Sequence, residues 1–300
     1  MERILPVLPG VGKRIPLIID SDAANEIDDL YAIALALASE DRFDLRGFVA
    51  THFAATDWAG PESIEESRRC ILEVMAAAGM AGRYPVWRGG HPMQYQRLPS
   101  PSEGCDFILR EARAATPEEP LWVLALGAAT NLASALLTDP SIVDRVRFIF
   151  HARSEYTWPE RTEQYNVKGD VLAVMHLLAS GVPLVWFDTG THLTASMAET
   201  EKRLAPLGPL GRYLHAYREK NPYFRGADKG FFDLGDIAWL LDPTLCQTEE
   251  VPVMRMDHAL RFHRDGNLGT MLRVHDIRTG PTWELLYRRL GAHAAKMENS

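Results

Sequence analysis

The apolar pair Ile18-Ile19 runs directly into Asp20-Ser21-Asp22-Ala23-Ala24-Asn25-Glu26-Ile27-Asp28-Asp29. Five acidic side chains within ten residues repel one another unless something neutralises them. A hard cation with oxygen ligands does so. Taken singly these acids read more plainly: Asp28 and Asp29 suit a helix N-terminus, and an acid after a strand is a common cap. Asp-x-Asp plus Asp-Asp around one strand–helix junction points instead to a metal site. Two later segments offer further oxygens. In Leu124-Ala125-Leu126-Gly127-Ala128-Ala129-Thr130-Asn131 the small residues allow a tight turn, and a backbone carbonyl near Thr130 can face outward; the plainer reading is a turn with Thr130 or Asn131 as helix cap. In Phe231-Phe232-Asp233-Leu234-Gly235-Asp236 a helix begins near Asp233, which is either its cap or a ligand. Asp236, one turn on, is expected to face solvent. His52 follows a strand at the site edge, where it could protonate a leaving group or bond a hydroxyl, or be a plain loop histidine. Trp158, Tyr165, Phe231 and Phe232 could stack on a flat ring or simply pack.

These residues need a scaffold, and the chain supplies alternating short β-branched runs and longer helical patterns. Strands are predicted at 16–20, 45–51, 84–88, 121–126, 146–150 and 183–187. Helices are predicted at 28–39, 62–78, 131–137 and 171–179. The alternation means βαβ units and a mostly parallel sheet, with ligands at the carboxyl ends of its strands. The 196–233 region reads as a helical insertion near the site. Leu260–His263 and Met271–His275, joined through Asp265-Gly266, read as a C-terminal hairpin. The expected fold class is therefore α/β, one domain over 1–300, with a mostly parallel central sheet flanked by helices.

The composition excludes several classes. The chain has 300 residues, 46 % hydrophobic and 24 % charged, the mix of a globular protein with a sizeable core. A net charge of −8 argues against a nucleic-acid partner, which needs clustered cations. Cys70, Cys105 and Cys246 are odd in number and lack a CxxC pair, so neither a disulfide framework nor a zinc site is expected, and a cytoplasmic location is. Neither a signal peptide in the N-terminal stretch nor a membrane-spanning run is read.

Taken in order, the segments resemble the inosine–uridine-preferring nucleoside hydrolase family. Asp20-x-Asp22 with Asp28-Asp29 is similar to the family's strand-to-helix acidic pattern. Pro85-Val86-Trp87-Arg88-Gly89 resembles its Pro-Val-Tyr-x-Gly strand, and Ala125–Ala133 its Gly-Pro-Leu-Thr-Asn segment. Gln164-Tyr165-Asn166-Val167-Lys168-Gly169-Asp170 resembles Glu-Phe-Asn-x-x-x-Asp, and Asp233 to Pro243 the late acid and helix. The resemblance covers about residues 15–245. It implies Ca²⁺ held by Asp22, Asp29, Asp233 and the Thr130 carbonyl, with a metal-bound water deprotonated by Asp22. It also implies sugar contacts from Asp28 and Asn166, with Gln164 and Asn25 beside them, and Asp20 supporting the loop from behind. A homodimer or homotetramer acting on a small nucleoside-like substrate would follow. The chain departs from the family at Asn25-Glu26 in a lengthened loop, at Gln164 for an acid, at Phe232 for a histidine, and at Ala54 for an asparagine. Two other readings stay open: a haloacid-dehalogenase-type phosphatase with Asp20 as nucleophile and Mg²⁺, and a non-catalytic nucleoside or sugar binder.

Overall fold

The computed structural model describes residues 3–10 and 12–299. Met1, Glu2, Val11 and Ser300 lie outside the described residues, and with them part of the N-terminal stretch read as lacking a leader.

The first half alternates strand and helix. It runs through β1 (Ile15–Ser21), α1 (Asp28–Leu37), β2 (Phe43–Ala50), α2 (Ser63–Ala77), β3 (Val86–Arg88), α3 (Glu103–Ala114), β4 (Leu121–Ala125) and α4 (Thr130–Thr138). Next come β5 (Val146–His151), α5 (Tyr165–Gly169), α6 (Val171–Ala179) and β6 (Leu184–Phe187). The later part contains α7 (Met197–Arg203), α8 (Gly208–Glu219), α9 (Leu234–Leu241), β7 (Gln247–Pro252), β8 (Arg255–Met256), β9 (Phe262–His263), β10 (Thr270–His275) and α10 (Thr279–Glu298). The helical region after residue 196 matches its expectation.

One eight-stranded sheet has the order β3-β2-β1-β4-β5-β6-β10-β7. Only β7 runs antiparallel to its neighbour. Along β1, Leu17 and Ile19 join the core under α1, α9 and α10, while Ile18 joins the core with α3, α4 and α6. Burial on both faces explains why β1 and β4 are continuous apolar runs rather than alternating ones. The strand order reverses between β1 and β4, so a crevice opens at their carboxyl ends, the usual ligand position in such sheets. The register pairs Asp20 with Ala125 and so sets the two strand ends level.

The C-terminal hairpin is corrected. Phe262–His263 pairs with Arg255–Met256, and β10 pairs with β7 on one side and β6 on the other. Entering the main sheet satisfies both backbone edges of β10, whereas an isolated two-stranded hairpin is marginal in water. α10 carries Trp283, Leu286, Tyr287 and Leu290 buried at helical spacing, a pattern legible in the sequence but not read there. All three cysteines are free. Among the described residues no helix is long and apolar enough to cross a membrane.

Candidate active site

The acidic loop leaves β1 at the strand-order reversal. Asp20, still in the strand, is fully buried and its Oδ2 accepts from Asn131 Nδ2 at 2.8 Å. Burial pushes its carboxyl up to about 8, against the pull of the Asn131 bond. Asn131 also accepts from Gly90 N and the Ser102 hydroxyl, so Asp20 belongs to a brace joining β1, α4 and the loop after β3. It does not face the crevice, which removes the phosphatase nucleophile.

Asp22 lies past the strand end, and Asn25 Nδ2 donates to its Oδ2 at 3.1 Å. Asn25 Oδ1 is enclosed and has no partner, leaving an acceptor at the site. Ser21 donates its hydroxyl proton to Asp29 Oδ1 at 2.5 Å. Neither Asp28 nor Asp29 caps α1, whose cap position is Ile27 with no side-chain bond. Asp233 stands at the cap position of α9 yet makes no cap bond; its backbone N–H donates to Asp28 Oδ2 at 3.4 Å. Carboxylate oxygens of Asp28, Asp29 and Asp233 all lie within 4.8 Å of one another. Together with Asp22 they line a bowl of about 110 Å³.

The electrostatics follow from this crowding. Burial, then the charges of Asp29 and Asp28, hold Asp22 well above the carboxylate range. Asp233 is lifted in the same way, first by burial and then by Asp29, Asp28 and Asp236. Burial followed by Asp28 raises Asp29 to about 7, with Ser21 opposing. The protein alone therefore disfavours full ionisation of the cluster, and a hard cation is the counter-charge that suits its donors.

Other residues land differently from expectation. The Thr130 carbonyl is corrected: Thr130 is the first residue of α4 and is not among the residues that line the bowl. Leu126 lines the bowl instead, and its carbonyl accepts from Asn166 Nδ2 at 2.5 Å. The Thr130 hydroxyl donates to Asp170 Oδ2 at 2.7 Å and lies 2.9 Å from His52 Nε2. His52 Nδ1 accepts from Ala54 N at 3.3 Å, so the ring is neutral with its proton on Nε2, directed at Thr130. Burial holds this imidazole down to about 4. Both nitrogens are thus engaged by protein groups, which speaks against the expected role of His52 as acid. His52→Gln should leave kcat within about tenfold of wild type, whereas loss of a general acid costs about 10²–10⁴; a hundredfold fall in base release would restore the acid role.

Asn166 lines the bowl and also donates to the His151 carbonyl at 3.1 Å. Gln164 lines it too, but its Oε1 caps α5 by accepting from Asn166 N and Val167 N at 2.6 and 3.2 Å. Only its amide N–H groups remain for a ligand. Asp236, expected in solvent, is fully buried, and its Oδ2 lies 2.7 Å from His151 Nδ1.

The sequence does not single out Lys229, Arg153 or His151. Lys229 Nζ reaches Glu26 at 2.6 Å and Asp28 at 3.3 Å. Burial alone would lower this ammonium, but the two acids more than offset it and hold it above its ordinary value. Gly127 sets the approach of β4 to the loop: a Cβ there would fall on Thr51 Cγ2 and lie 3.0 Å from Asp22 Cβ. Gly127→Ala should cost about 1–3 kcal/mol by overpacking and slow turnover by displacing Asp22. Thermal unfolding and base release check it; an unchanged melting temperature and rate would mean the loop yields freely.

With this geometry in view, residues 17–272 match the family described as inosine-uridine preferring nucleoside hydrolase. The chain is similar to the pyrimidine-specific ribonucleoside hydrolase RihA of Citrobacter koseri, 27 % identical over 79 % of this chain and 82 % of that protein. It is also similar in structure to the purine-preferring ribonucleoside hydrolase from Gardnerella vaginalis. That likeness has a TM-score of 0.68 and 20 % identity over 93 % of this chain and 98 % of the other. The inosine-uridine preferring nucleoside hydrolase from Bacillus anthracis gives 0.66 at 14 % identity, over 93 % and 99 %.

Proposed function

Because the chain belongs to the inosine–uridine preferring nucleoside hydrolase family, a family of N-glycosyl hydrolases, we propose that it cleaves the N-glycosidic bond of a ribosyl compound in the acidic bowl. The convergence of Asp22, Asp28, Asp29 and Asp233, all buried, carries this reading. Asp22, Asp29, Asp233 and the Leu126 carbonyl would hold Ca²⁺. When bound, that cation supplies positive charge that makes water more acidic and orients it. Asp22, whose carboxylate lines the bowl, takes the proton of the attacking water. Asp28, Asn166 and the unpartnered Asn25 Oδ1 accept the sugar hydroxyls. The remaining acids stabilise positive charge as the glycosidic bond opens into an oxocarbenium-like state. A groove of about 690 Å³ shares Asn25 and Glu26 with the bowl and is lined by Trp58, Tyr165 and Tyr223, whose rings suit a flat leaving base.

The free cysteines suit a reducing compartment, so we place the enzyme in the cytoplasm. The family resemblance supports a homodimer or homotetramer working in nucleoside salvage. The test is release of free base and reducing sugar from a panel of purine and pyrimidine nucleosides, with and without chelator. Chelator-sensitive release is expected. Binding without release would leave a nucleoside binder.

A further inference from the structure

The bowl is not lined by acids alone. Arg153 and Gln164 line the same cavity as the acids. Arg153 stacks on the Phe232 ring with 4.1 Å from its guanidinium carbon to the centroid, and Nη1 donates to Thr191 Oγ1 at 2.7 Å. Its Nε is enclosed and has no partner. Glu26 and Glu155 feel its charge, but Glu26 is already paired with Lys229 at 2.6 Å, and Glu155 accepts the Thr191 hydroxyl. The guanidinium is therefore not consumed by an ion pair with either acid. Gln164 spends its oxygen on the α5 cap and keeps only donors for the cavity. A lining of N–H donors, one of them cationic, holds an anion more strongly than a neutral hydroxyl. It also opposes the cationic transition state unless an anion sits between.

We infer that the substrate carries an anionic substituent, a phosphate or carboxylate on the sugar, held by Arg153 and the Gln164 amide while the acids hold the reacting end. This rests on the hydrolase reading above. A ribosyl group whose secondary hydroxyls meet the acids would leave its C5 substituent free to meet these donors. Guanidinium and amide N–H groups form charge-assisted bonds to such oxygens, about twice as strong as neutral ones. Of the two anions, phosphate offers more acceptor oxygens and is the better match.

The experiment uses the full chain with Ca²⁺ present. Base release is followed from uridine and inosine, from their 5′-monophosphates, and from the corresponding 5′-carboxylates. In parallel, thermal shifts are read with ribose and with ribose 5-phosphate. The anionic compounds should exceed the neutral nucleosides in kcat/KM by about tenfold or more, the scale of one charge-assisted contact. Whether the monophosphates or the carboxylates lead identifies the anion. Arg153→Gln should bring the ratio near unity, mainly through KM of the anionic compounds. Gln164→Glu keeps an oxygen for the α5 cap while adding a negative charge to this lining, and should lower the ratio too if Arg153→Gln fails to fold. Neutral nucleosides cleaved as well as or better than anionic ones, with both slowed alike by the variants, would overturn the inference. If no compound is cleaved, the hydrolase reading falls separately. The anion inference is then judged on binding: it stands if ribose 5-phosphate stabilises the wild type more than ribose does and Arg153→Gln removes the difference, and it fails if the two sugars are alike.

Discussion

Asp22→Asn is expected to lower kcat for base release by about 10³ or more in a correctly folded protein, since general-base catalysis alone accounts for about 10²–10⁴. Asp22 is 3 % exposed, lines the bowl, and is held well above the carboxylate range, first by burial and then by Asp29 and Asp28. A carboxylate at this position can accept a proton, and an amide cannot. The substitution also removes one anionic oxygen from the proposed cation site, so two contributions fall together. The shape is conserved, and an amide oxygen can still accept from Asn25 Nδ2, now 3.1 Å from Asp22 Oδ2. Removing one of several crowded like charges relieves repulsion. Without added cation the variant should therefore unfold at or above the wild-type temperature. Circular dichroism and thermal unfolding establish the fold, and base release from the best nucleoside of the panel gives the rate. A folded variant within tenfold of wild type would place the base elsewhere.

Much of this site can be read from one stretch of sequence, and the reason is geometric. The apolar run of a parallel strand leads to its carboxyl end, so the acids from Asp22 to Asp29 had to emerge at that edge of the sheet. The distinction between Asp20, facing back toward Asn131, and Asp22, facing the bowl, depends on where the strand stops, and the resemblance supplied it. The carbonyl expected from Thr130 was misplaced because any residue can supply a carbonyl, so no side chain marks the one that faces the bowl. The register held the answer: Asp20 pairs with Ala125, and Leu126 N donates to Asp20 O at 2.8 Å, which places Leu126 beside the start of the acidic loop. His52 was placed correctly at a strand end, but sequence cannot tell whether a ring nitrogen is free. The structure directs both toward Thr130 and Ala54. Arg153 and Lys229 were invisible for another reason. Each is an isolated cation in a loop, where a solvated side chain is the ordinary expectation. Lys229 is brought to Glu26 and Asp28, about two hundred residues away in the chain, only by the packing of α9 on α1.

Removing divalent cations should abolish turnover and destabilise the fold, with Ca²⁺ restoring both. The described oxygens of Asp28, Asp29 and Asp233 lie within 4.8 Å of one another, the span of opposite ligands around a cation at about 2.4 Å. The raised carboxyls of Asp22, Asp29 and Asp233 indicate that folding these acids together without a counter-charge is unfavourable. A cation that binds only the folded state stabilises it by mass action, by about 2.7 kcal/mol at a hundred times Kd. For a chain of this size that is a rise in melting temperature of about 4 °C. Mg²⁺ should be a weaker replacement, because it requires shorter, near-octahedral bonds of about 2.1 Å and gives up water reluctantly. Asp233→Asn should reduce the Ca²⁺-dependent shift and raise the concentration needed for half-maximal activity. Both follow from its place in the cluster rather than from capping α9, since Asp233 makes no side-chain cap bond. The measurements are a chelator titration of base release and scanning calorimetry over a Ca²⁺ series. Full turnover in excess chelator, or a melting temperature indifferent to Ca²⁺ in the wild type, would mean that the acids serve the sugar directly and that no cation belongs among them.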